Sequence, residues 1–444
     1  MNALDQDIST LGECYSNTAV PAFTDPGFDA HHSFADQILT FGAATRRGIH
    51  MPNLRQYLLQ NVTAAASAPM SRQSLTELFW FLFSQKAWEQ IDWLSKAVDL
   101  GDLPEHVADL CFLAFYRTQK SRLMSGKGAI DFTRDATIVR KRIAETWPDA
   151  KTRHEAYEAM LLHVTGSFDE ARRMFSALDG SIFIEPFAGI SSVLIPPAVT
   201  VPPDGASLEI NPCRARHVTL LSLDKTYFEK YAFLVARRYA RTNPNNGLHF
   251  HCVGFDPRET ITGWGLPLAI GVTIDREDLH ALGPRQQRGY FAGARYLHLS
   301  RYVDLYDAVF VADVDGHVSR DVALVNEEHQ DADVIFSTKV LDPDREVIRL
   351  PWEAVTACSF MVRATSGGHR FARQLGSYLH TVVRNGKALQ RPIWYADQTA
   401  LFYCWRDATG DVRFSTFIKF AFVQRGSWQL FEGERERLLF LAAD

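Results

Sequence analysis

The feature that most constrains the fold of this 444-residue chain is a proline-rich stretch near its middle. Proline pairs occur at Pro196-Pro197 and Pro202-Pro203. Such pairs interrupt helices and central strands and form semi-rigid spacers. Before this stretch the apolar positions follow helical spacing, whereas beyond it short apolar runs alternate with helical segments. The sequence therefore predicts two differently built regions, joined by a connector over residues 181–213.

The region before the connector has two parts. Residues 1–32 mix Ser, Thr, Pro, Gly and Asp without periodicity, so we expect a loosely ordered lead-in. Residues 33–180 are predicted to form an all-helical domain. Ser74, with Glu77 three residues later, is a candidate capping box for one of its helices.

One segment of the helical region, residues 155–178, resembles a single tetratricopeptide unit. Small residues at Ala159, Gly166 and Ala171 would let two helices pack closely, and Phe168 and Phe175 would fill the space between them. An ordinary helical hairpin explains the same pattern, because helical repeats need several copies for stability. An array of this kind would present a face for a protein partner.

Residues 214–444 show the pattern of an α/β domain. Strands are predicted over 217–223, 248–255, 268–274, 308–312, 333–338 and 355–363, and helices over 226–241, 285–305 and 368–384. Strands that alternate with helices imply a largely parallel, doubly wound sheet.

Composition excludes several function classes. A net charge of -5 gives no polyanion-binding surface, so no nucleic-acid partner is expected. The six cysteines include no C-x-x-C pair, which argues against zinc and fits a reducing cytosol. We expect no transmembrane segment, no secretory signal and a cytoplasmic location, with peripheral attachment at the inner membrane face as an alternative.

Two carboxylates follow the predicted strand 308–312. Asp313 and Asp315 are two residues apart, so in an extended chain both side chains point the same way. Ligands of open α/β sheets bind beyond the carboxyl ends of the strands. Paired carboxylates suit Mg²⁺ or Mn²⁺ that bridge substrate phosphates. A solvated pair of acids in a turn is the plain alternative.

Four elements in order carry a family resemblance: Ser222-x-Asp224 at a strand end, the segment 290–295, Asp313-Val314-Asp315, and Asp397-Gln398. Over about 215–430 this order resembles a metal-dependent nucleotide-sugar glycosyltransferase of the GT-A type, most closely the retaining group with glycogenin and lipopolysaccharide galactosyltransferases. The resemblance implies a GT-A-like (Rossmann-like) fold, a hexosyltransferase activity, a nucleotide-sugar donor such as a UDP-sugar, and a glycan, lipid-linked or protein acceptor.

The resemblance also implies roles for residues on the donor side. Ser222, Asp224 and Tyr227 correspond to contacts with the nucleotide, although Tyr227 also fits a buried aromatic residue of the first helix. Arg295 corresponds to the arginine that reaches the sugar and diphosphate; a surface arginine is the alternative. Asp313 corresponds to the acid that contacts both ribose and metal.

The remaining implied roles belong to the metal and the reaction. Asp315 corresponds to a direct ligand of Mn²⁺ or Mg²⁺. Asp397 and Gln398 correspond to the catalytic pair near the reacting carbon of the sugar. A carboxylate or amide there can steady an oxocarbenium-like transition state or bind acceptor hydroxyls. At the start of a helix, however, Asp397 could equally be an N-cap.

The chain departs from the family at two places. The relatives supply a third metal ligand from a C-terminal histidine, but no histidine follows His380 here. Trp428, Gly433 and Arg435 or Arg437 are the nearest equivalents of that region. The family's Asn-Ala-Gly strand is replaced by residues 356–360, which leaves the donor sugar open.

Two other functions use the same residues. Asp313, as the first acid of Asp-x-Asp-Gly, also resembles the nucleophile of haloacid-dehalogenase-type phosphatases. Lys339 is available for such a site, but no Gly-Asp-x-x-x-Asp motif follows it. A helical scaffold that carries an inactive transferase-like module is the non-enzymatic alternative.

Overall fold

The computed structural model describes residues 33–47, 51–65, 70–124, 132–195, 207–314, 316–318, 320–338, 349–389, 393–408, 410–418 and 423–425. The chain divides into two compact units. The first contains residues 1–165 and 183–186, and the second contains residues 166–182 and 187–444. The predicted lead-in 1–32 lies outside the described residues.

The described residues of the first unit are helical and include no strand. Its helices are α1 (Phe34–Arg46), α2 (Pro52–Gln60), α3 (Val62–Ala65), α4 (Arg72–Ser84), α5 (Trp88–Ala97), α6 (His106–Met124), α7 (Phe132–Thr146) and α8 (Lys151–Val164). Aromatic rings fill its interior, and Phe112 stacks on Tyr157 with 4.3 Å between ring centroids. Both of these rings are almost fully buried.

The cap predicted for α4 is wrong. Ser71, not Ser74, is the N-cap, and its hydroxyl accepts the backbone N–H of Ser74 at 3.1 Å. Ser74 lies buried in the first turn, and Glu77 forms an ion pair with Arg46. The helix begins earlier because Ser71 satisfies a backbone donor that would otherwise lack a partner.

A buried carboxylate holds residues 183–186 to the first unit. Asp109 accepts hydrogen bonds from the Tyr157 hydroxyl at 2.6 Å, from Arg153 Nε at 3.2 Å and from the backbone N–H of Ile184 at 3.3 Å. Burial raises the pKa of Asp109 to about 6, although the Arg153 guanidinium and these hydrogen bonds oppose the shift. Asp109 is therefore a polar anchor inside a helical core.

The second unit begins with α9 (Phe168–Ala177) and contains an eight-stranded sheet in the order β1-β4-β3-β2-β5-β8-β7-β9. The tetratricopeptide-like segment thus spans α8 and α9, which belong to different units. The strands of the sheet are β1 (Leu208–Asn211), β2 (His217–Leu223), β3 (Gly247–Val253), β4 (Ile270–Asp275), β5 (Ala308–Ala312), β7 (Val334–Thr338), β8 (Ser359–Arg363) and β9 (Phe414–Ile418). Two short strands, β6 (Gly316–Val318) and β10 (Val423–Arg425), pair separately.

Strand direction confirms a mostly parallel sheet. Strands β2, β3, β4, β5, β7 and β9 run one way, whereas β1 and β8 run the other. The strands predicted over 217–223 and 308–312 form with those bounds. The strand predicted from 355 begins only at Ser359, because residues 351–354 form a short helix and a turn follows it.

Helices pack on both faces of this sheet, as a doubly wound fold requires. They are α10 (Lys225–Tyr227), α11 (Phe233–Thr242), α12 (Arg258–Thr262), α13 (Pro284–Leu297), α14 (Leu299–Val303), α15 (Val322–Glu328), α16 (Pro351–Ala354), α17 (Ser366–Leu389) and α18 (Ala396–Arg406). A π-helical segment, Phe228–Ala232, joins α10 to α11. None of the helices described combines the length and the apolar character needed to cross a lipid bilayer.

Alternate residues of the central strands serve the two faces. Leu248 and Phe250 of β3 join the core beneath α11. His249 and His251 point the other way, and their rings hydrogen-bond to Tyr306 at 2.7 Å and to Tyr302 at 2.5 Å. This alternation follows from the two-residue repeat of a strand. It leaves the strand ends as the place where polar side chains can gather.

Candidate functional site

The sheet has a topological switch point between β2 and β5. From β2 the chain adds β3 and then β4 on one side, and it returns to add β5 on the other side. Ligands of open α/β sheets bind in the crevice at the carboxyl ends of the strands that flank such a point. Asp224 follows β2 and Asp313 follows β5, so both lie at this edge.

A buried arginine is fixed to the end of β5. Arg295 on α13 is 2% exposed, and its Nη1 donates to the carbonyl oxygen of Ala312 at 2.7 Å. Its Nη2 forms an ion pair with Asp313 Oδ1 and donates to the Tyr296 hydroxyl at 3.1 Å. The alternative of a surface arginine is therefore wrong. Asp313 remains 32% exposed, so its carboxylate is accessible beside a fixed positive charge.

Asp397 lies in the first turn of α18 and interacts with the same charges. Its Oδ1 accepts the backbone N–H of Gln398 at 2.8 Å. Burial raises the pKa of Asp397 to about 6; Asp313 adds to this shift, and Arg295 opposes it. The N-cap of α18 is Tyr395, so the alternative that Asp397 is that cap is wrong. The structure thus brings Asp397, Asp313 and Arg295 into one electrostatic group.

The residues just before Asp397 carry a feature that sequence reasoning missed. Tyr395 has a left-handed backbone conformation with φ of 64°. This conformation is uncommon outside glycine, and such strain is often found at functional sites. The neighbouring Trp394 is 40% exposed. No sequence signal marks this strain, because Tyr-Ala-Asp at a helix start is unremarkable.

Gln398 points away from the site. Hydrogen bonding fixes its amide orientation, in which the NH₂ group donates to the carbonyl oxygens of Trp352 and Val355, each at 3.1 Å. With the amide assigned in this orientation, its partners are a backbone carbonyl group of α16 and that of Val355, which follows the helix. This arrangement makes Gln398 a support for Asp397.

The nucleotide candidates differ in their surroundings. Ser222 is 6% exposed, and its hydroxyl donates to the carbonyl oxygen of Phe291 at 2.6 Å. Asp224 caps α10 by accepting the backbone N–H of Tyr227 at 2.8 Å. Tyr227 is 45% exposed beside Tyr231, so the buried-aromatic alternative is wrong. Asp224 and Tyr227 are accessible at the switch point, whereas the Ser222 side chain ties β2 to α13.

Helix α13, which carries Arg295, is anchored by the buried carboxylate of Asp275, which sequence analysis did not identify. Asp275 at the end of β4 accepts the Tyr290 hydroxyl at 2.9 Å and His251 Nε2 at 3.1 Å. Burial disfavours the Asp275 carboxylate, but the hydrogen bond from His251 helps to lower its pKa to about 2. This network fixes the orientation of α13 and therefore of Arg295.

Several candidates lie outside the described residues: Asp315, Lys339, Trp428, Gly433, Arg435 and Arg437. Within the described ranges, no group of three or more His, Cys, Asp or Glu side chains forms a metal-binding cluster. The accessible carboxylate of Asp313 at the end of β5 fits one ligand of a hard divalent cation.

No protein-family model and no curated protein sequence matches the chain. Among solved structures, the glycosyltransferase GlyE of Streptococcus pneumoniae TIGR4 is similar at 12% sequence identity and a TM-score of 0.31, over 46% of this chain and 45% of that chain. The galactosyltransferase LgtC in complex with donor and acceptor sugar analogs is similar at 14% identity and a TM-score of 0.31, over 45% of this chain and 72% of that chain. The matched part is thus less than half of this chain and less than half of GlyE.

Proposed function

We propose that the protein is a glycosyltransferase that moves a sugar from a nucleotide-diphosphate donor, such as a UDP-sugar, to an acceptor. The observation that carries the proposal is the convergence of Asp313, Arg295 and Asp397 at the switch point of the sheet. An accessible carboxylate beside a buried guanidinium suits the metal and phosphate oxygens of a diphosphate leaving group. A second carboxylate, with a raised pKa, suits a developing positive charge on the sugar.

Each residue has a role in this proposal. Asp313 and Asp315 hold Mn²⁺ or Mg²⁺, which when bound offsets negative charge on the departing diphosphate. Arg295 orients Asp313 and adds positive charge at the same place. Asp397 in its carboxylate form stabilises the oxocarbenium-like transition state. Asp224 and Tyr227 contact the nucleotide.

The finer assignments rest on the family resemblance. We propose a retaining hexosyltransferase with a glycan, lipid-linked or protein acceptor, and a protein partner for the helical region 33–180. We also propose a GT-A-type domain that covers 214–444 and extends to β1 (Leu208–Asn211) and residues 187–194, which limits the connector predicted over 181–213 to the stretch with the proline pairs. The scattered cysteines support a cytoplasmic location.

The proposal is tested by isothermal titration of UDP into the protein with and without Mn²⁺. We expect binding that requires Mn²⁺ and is lost in Asp313→Ala. As a matched control, Asp256→Ala removes an exposed carboxylate that pairs with Arg258 and leaves the site untouched. Metal-independent or absent binding of UDP would favour the scaffold alternative.

A further inference from the structure

One stretch of backbone links the two halves of the site. The carbonyl oxygen of Ala357 accepts the Tyr296 hydroxyl, which in turn accepts from Arg295. Five residues or fewer away, the carbonyl oxygens of Trp352 and Val355 accept the amide of Gln398, next to Asp397. We call residues 351–357 the bridge. Because both sides of the site hydrogen-bond to the bridge, its position sets the separation of Asp397 from the Arg295–Asp313 pair.

The bridge is held in place by residues that precede the first proline pair, Pro196-Pro197. The Trp352 ring is 2% exposed and meets Phe175 of α9 edge to face, with 5.5 Å between centroids. The Trp352 side chain also lies against Gly189. A Cβ atom added at Gly189 would lie 2.7 Å from Trp352 Cβ and would overlap the indole ring, so only glycine fits there.

The far end of α18 is held by the same part of the chain. Nη1 of Arg172 donates to both carboxylate oxygens of Asp407, at 2.9 and 2.8 Å, and Nε donates to the carbonyl oxygen of Leu194 at 2.6 Å. The guanidinium also lies 4.0 Å from the centroid of the Tyr403 ring. Helix α9 and residues 187–194 therefore hold α18 at its carboxyl end and, through Trp352 and Gln398, at its amino end.

We infer that residues 168–177 and 187–194 support the transferase site by holding the bridge and α18 in position. Within this support, Gly189 and Trp352 are positioning residues for Asp397. Both segments belong to the same compact unit as the sheet, although they precede the proline pairs at Pro196-Pro197 and Pro202-Pro203. The inference rests on the proposed function, because its readout is the transfer reaction. Contact between Gly189 and Trp352 fixes the position of the bridge, and the bridge fixes the positions of Gln398 and Asp397.

The first test is Gly189→Ala, assayed for transfer and for donor binding. The added methyl group displaces Trp352 and the bridge, so we expect kcat to fall by about 10- to 100-fold, the scale of a misplacement near 1 Å. The Kd of UDP with Mn²⁺ should stay within about twofold, because Arg295 and Asp313 remain tied to the end of β5 through the carbonyl oxygen of Ala312. Gly410→Ala is the matched control, since a Cβ there meets nothing within 4 Å.

A double-mutant cycle distinguishes a positioning role of the contact between Gly189 and Trp352 from a general loss of folding stability. Trp352→Gly removes all the side-chain atoms that lie nearest to the new methyl group, so the double variant Gly189→Ala/Trp352→Gly should lose little more activity than Trp352→Gly alone. Additive losses, or a kcat unchanged in Gly189→Ala, would overturn the inference. If Gly189→Ala does not fold, Trp352→Phe serves instead: a loss of kcat at constant UDP affinity supports the inference, and unchanged kcat overturns it.

Failure of the proposed function can be distinguished from failure of the positioning role. If the proposed function is wrong, the unmodified protein itself transfers no sugar and binds no UDP with Mn²⁺. Activity in the unmodified protein with normal kinetics in every bridge variant rejects only the positioning role.

Discussion

At the scale of single residues, the site depends on how Arg295 is held. Its guanidinium is almost fully buried, yet it meets a carbonyl oxygen, a hydroxyl and a carboxylate. A buried charge with this many partners is kept in one orientation, and losing one partner is costly. Arg295 was found from the sequence only through the family resemblance. Tyr296, which completes its hydrogen bonds, was missed because a tyrosine beside a helix arginine carries no signal.

Replacement of Arg295 by lysine tests the geometry of this guanidinium. A lysine keeps the charge but cannot contact Ala312, Tyr296 and Asp313 at once. We expect kcat/KM for the donor to fall by about 10- to 100-fold, which corresponds to about 1.4 to 3 kcal/mol. Arg373→Lys, at an exposed position of α17, is the matched control. Equal kinetics in both variants would remove Arg295 from the site.

Titration of Asp397 gives a pH test. Its pKa is raised to about 6, and the proposed role needs the carboxylate. Activity should therefore be full above about pH 7 and should fall as the pH is lowered through 6. Asp397→Asn should show low kcat without this acid limb, and UDP binding should be retained. A pH profile of kcat measured on both proteins decides this, and an unchanged limb in Asp397→Asn would assign the titration to another group.

At the scale of elements, apolar runs located β2 and β5 because buried parallel strands are continuously apolar. The sequence did not show that β8 runs antiparallel between β5 and β7, since strand order depends on contacts distant in sequence. It also missed the π-helical segment 228–232 and placed the cap of α4 at Ser74 instead of Ser71. Both the π-helical segment and the position of the cap depend on competition between local hydrogen bonds, which residue patterns alone do not resolve.

The helices around Asp109 give a prediction on stability. Folding raises the pKa of Asp109 from 3.8 to about 6, so the folded state binds its proton more tightly than the unfolded state. The contribution of Asp109 to the stability of the first unit is therefore fully present below about pH 4, and up to about 3 kcal/mol of it is lost as the pH rises through 6. Asp109→Asn should abolish this dependence. Hydrogen exchange of peptides from α6 and α8, corrected for intrinsic rates, measures it; the same pH slope in both proteins would contradict it.

At the scale of the whole molecule, sequence pattern and fold agree on a helical stretch followed by a mostly parallel α/β sheet. The pattern could not show that α9 and residues 187–194 belong to the unit that contains the sheet. That assignment depends on contacts such as Gly189 with Trp352 and Arg172 with Asp407, between residues far apart in the chain. A glycine in a short apolar segment gives no hint of the ring that it faces.

The measurement that tests the account most directly is a screen of nucleotide sugars with Mn²⁺, read as release of the nucleoside diphosphate. We predict release from at least one UDP-sugar, dependent on the metal and abolished in Asp313→Ala. Release of inorganic phosphate from phosphate monoesters by the same protein, with no nucleoside diphosphate from any donor, would contradict the account and favour a phosphatase that uses Asp313.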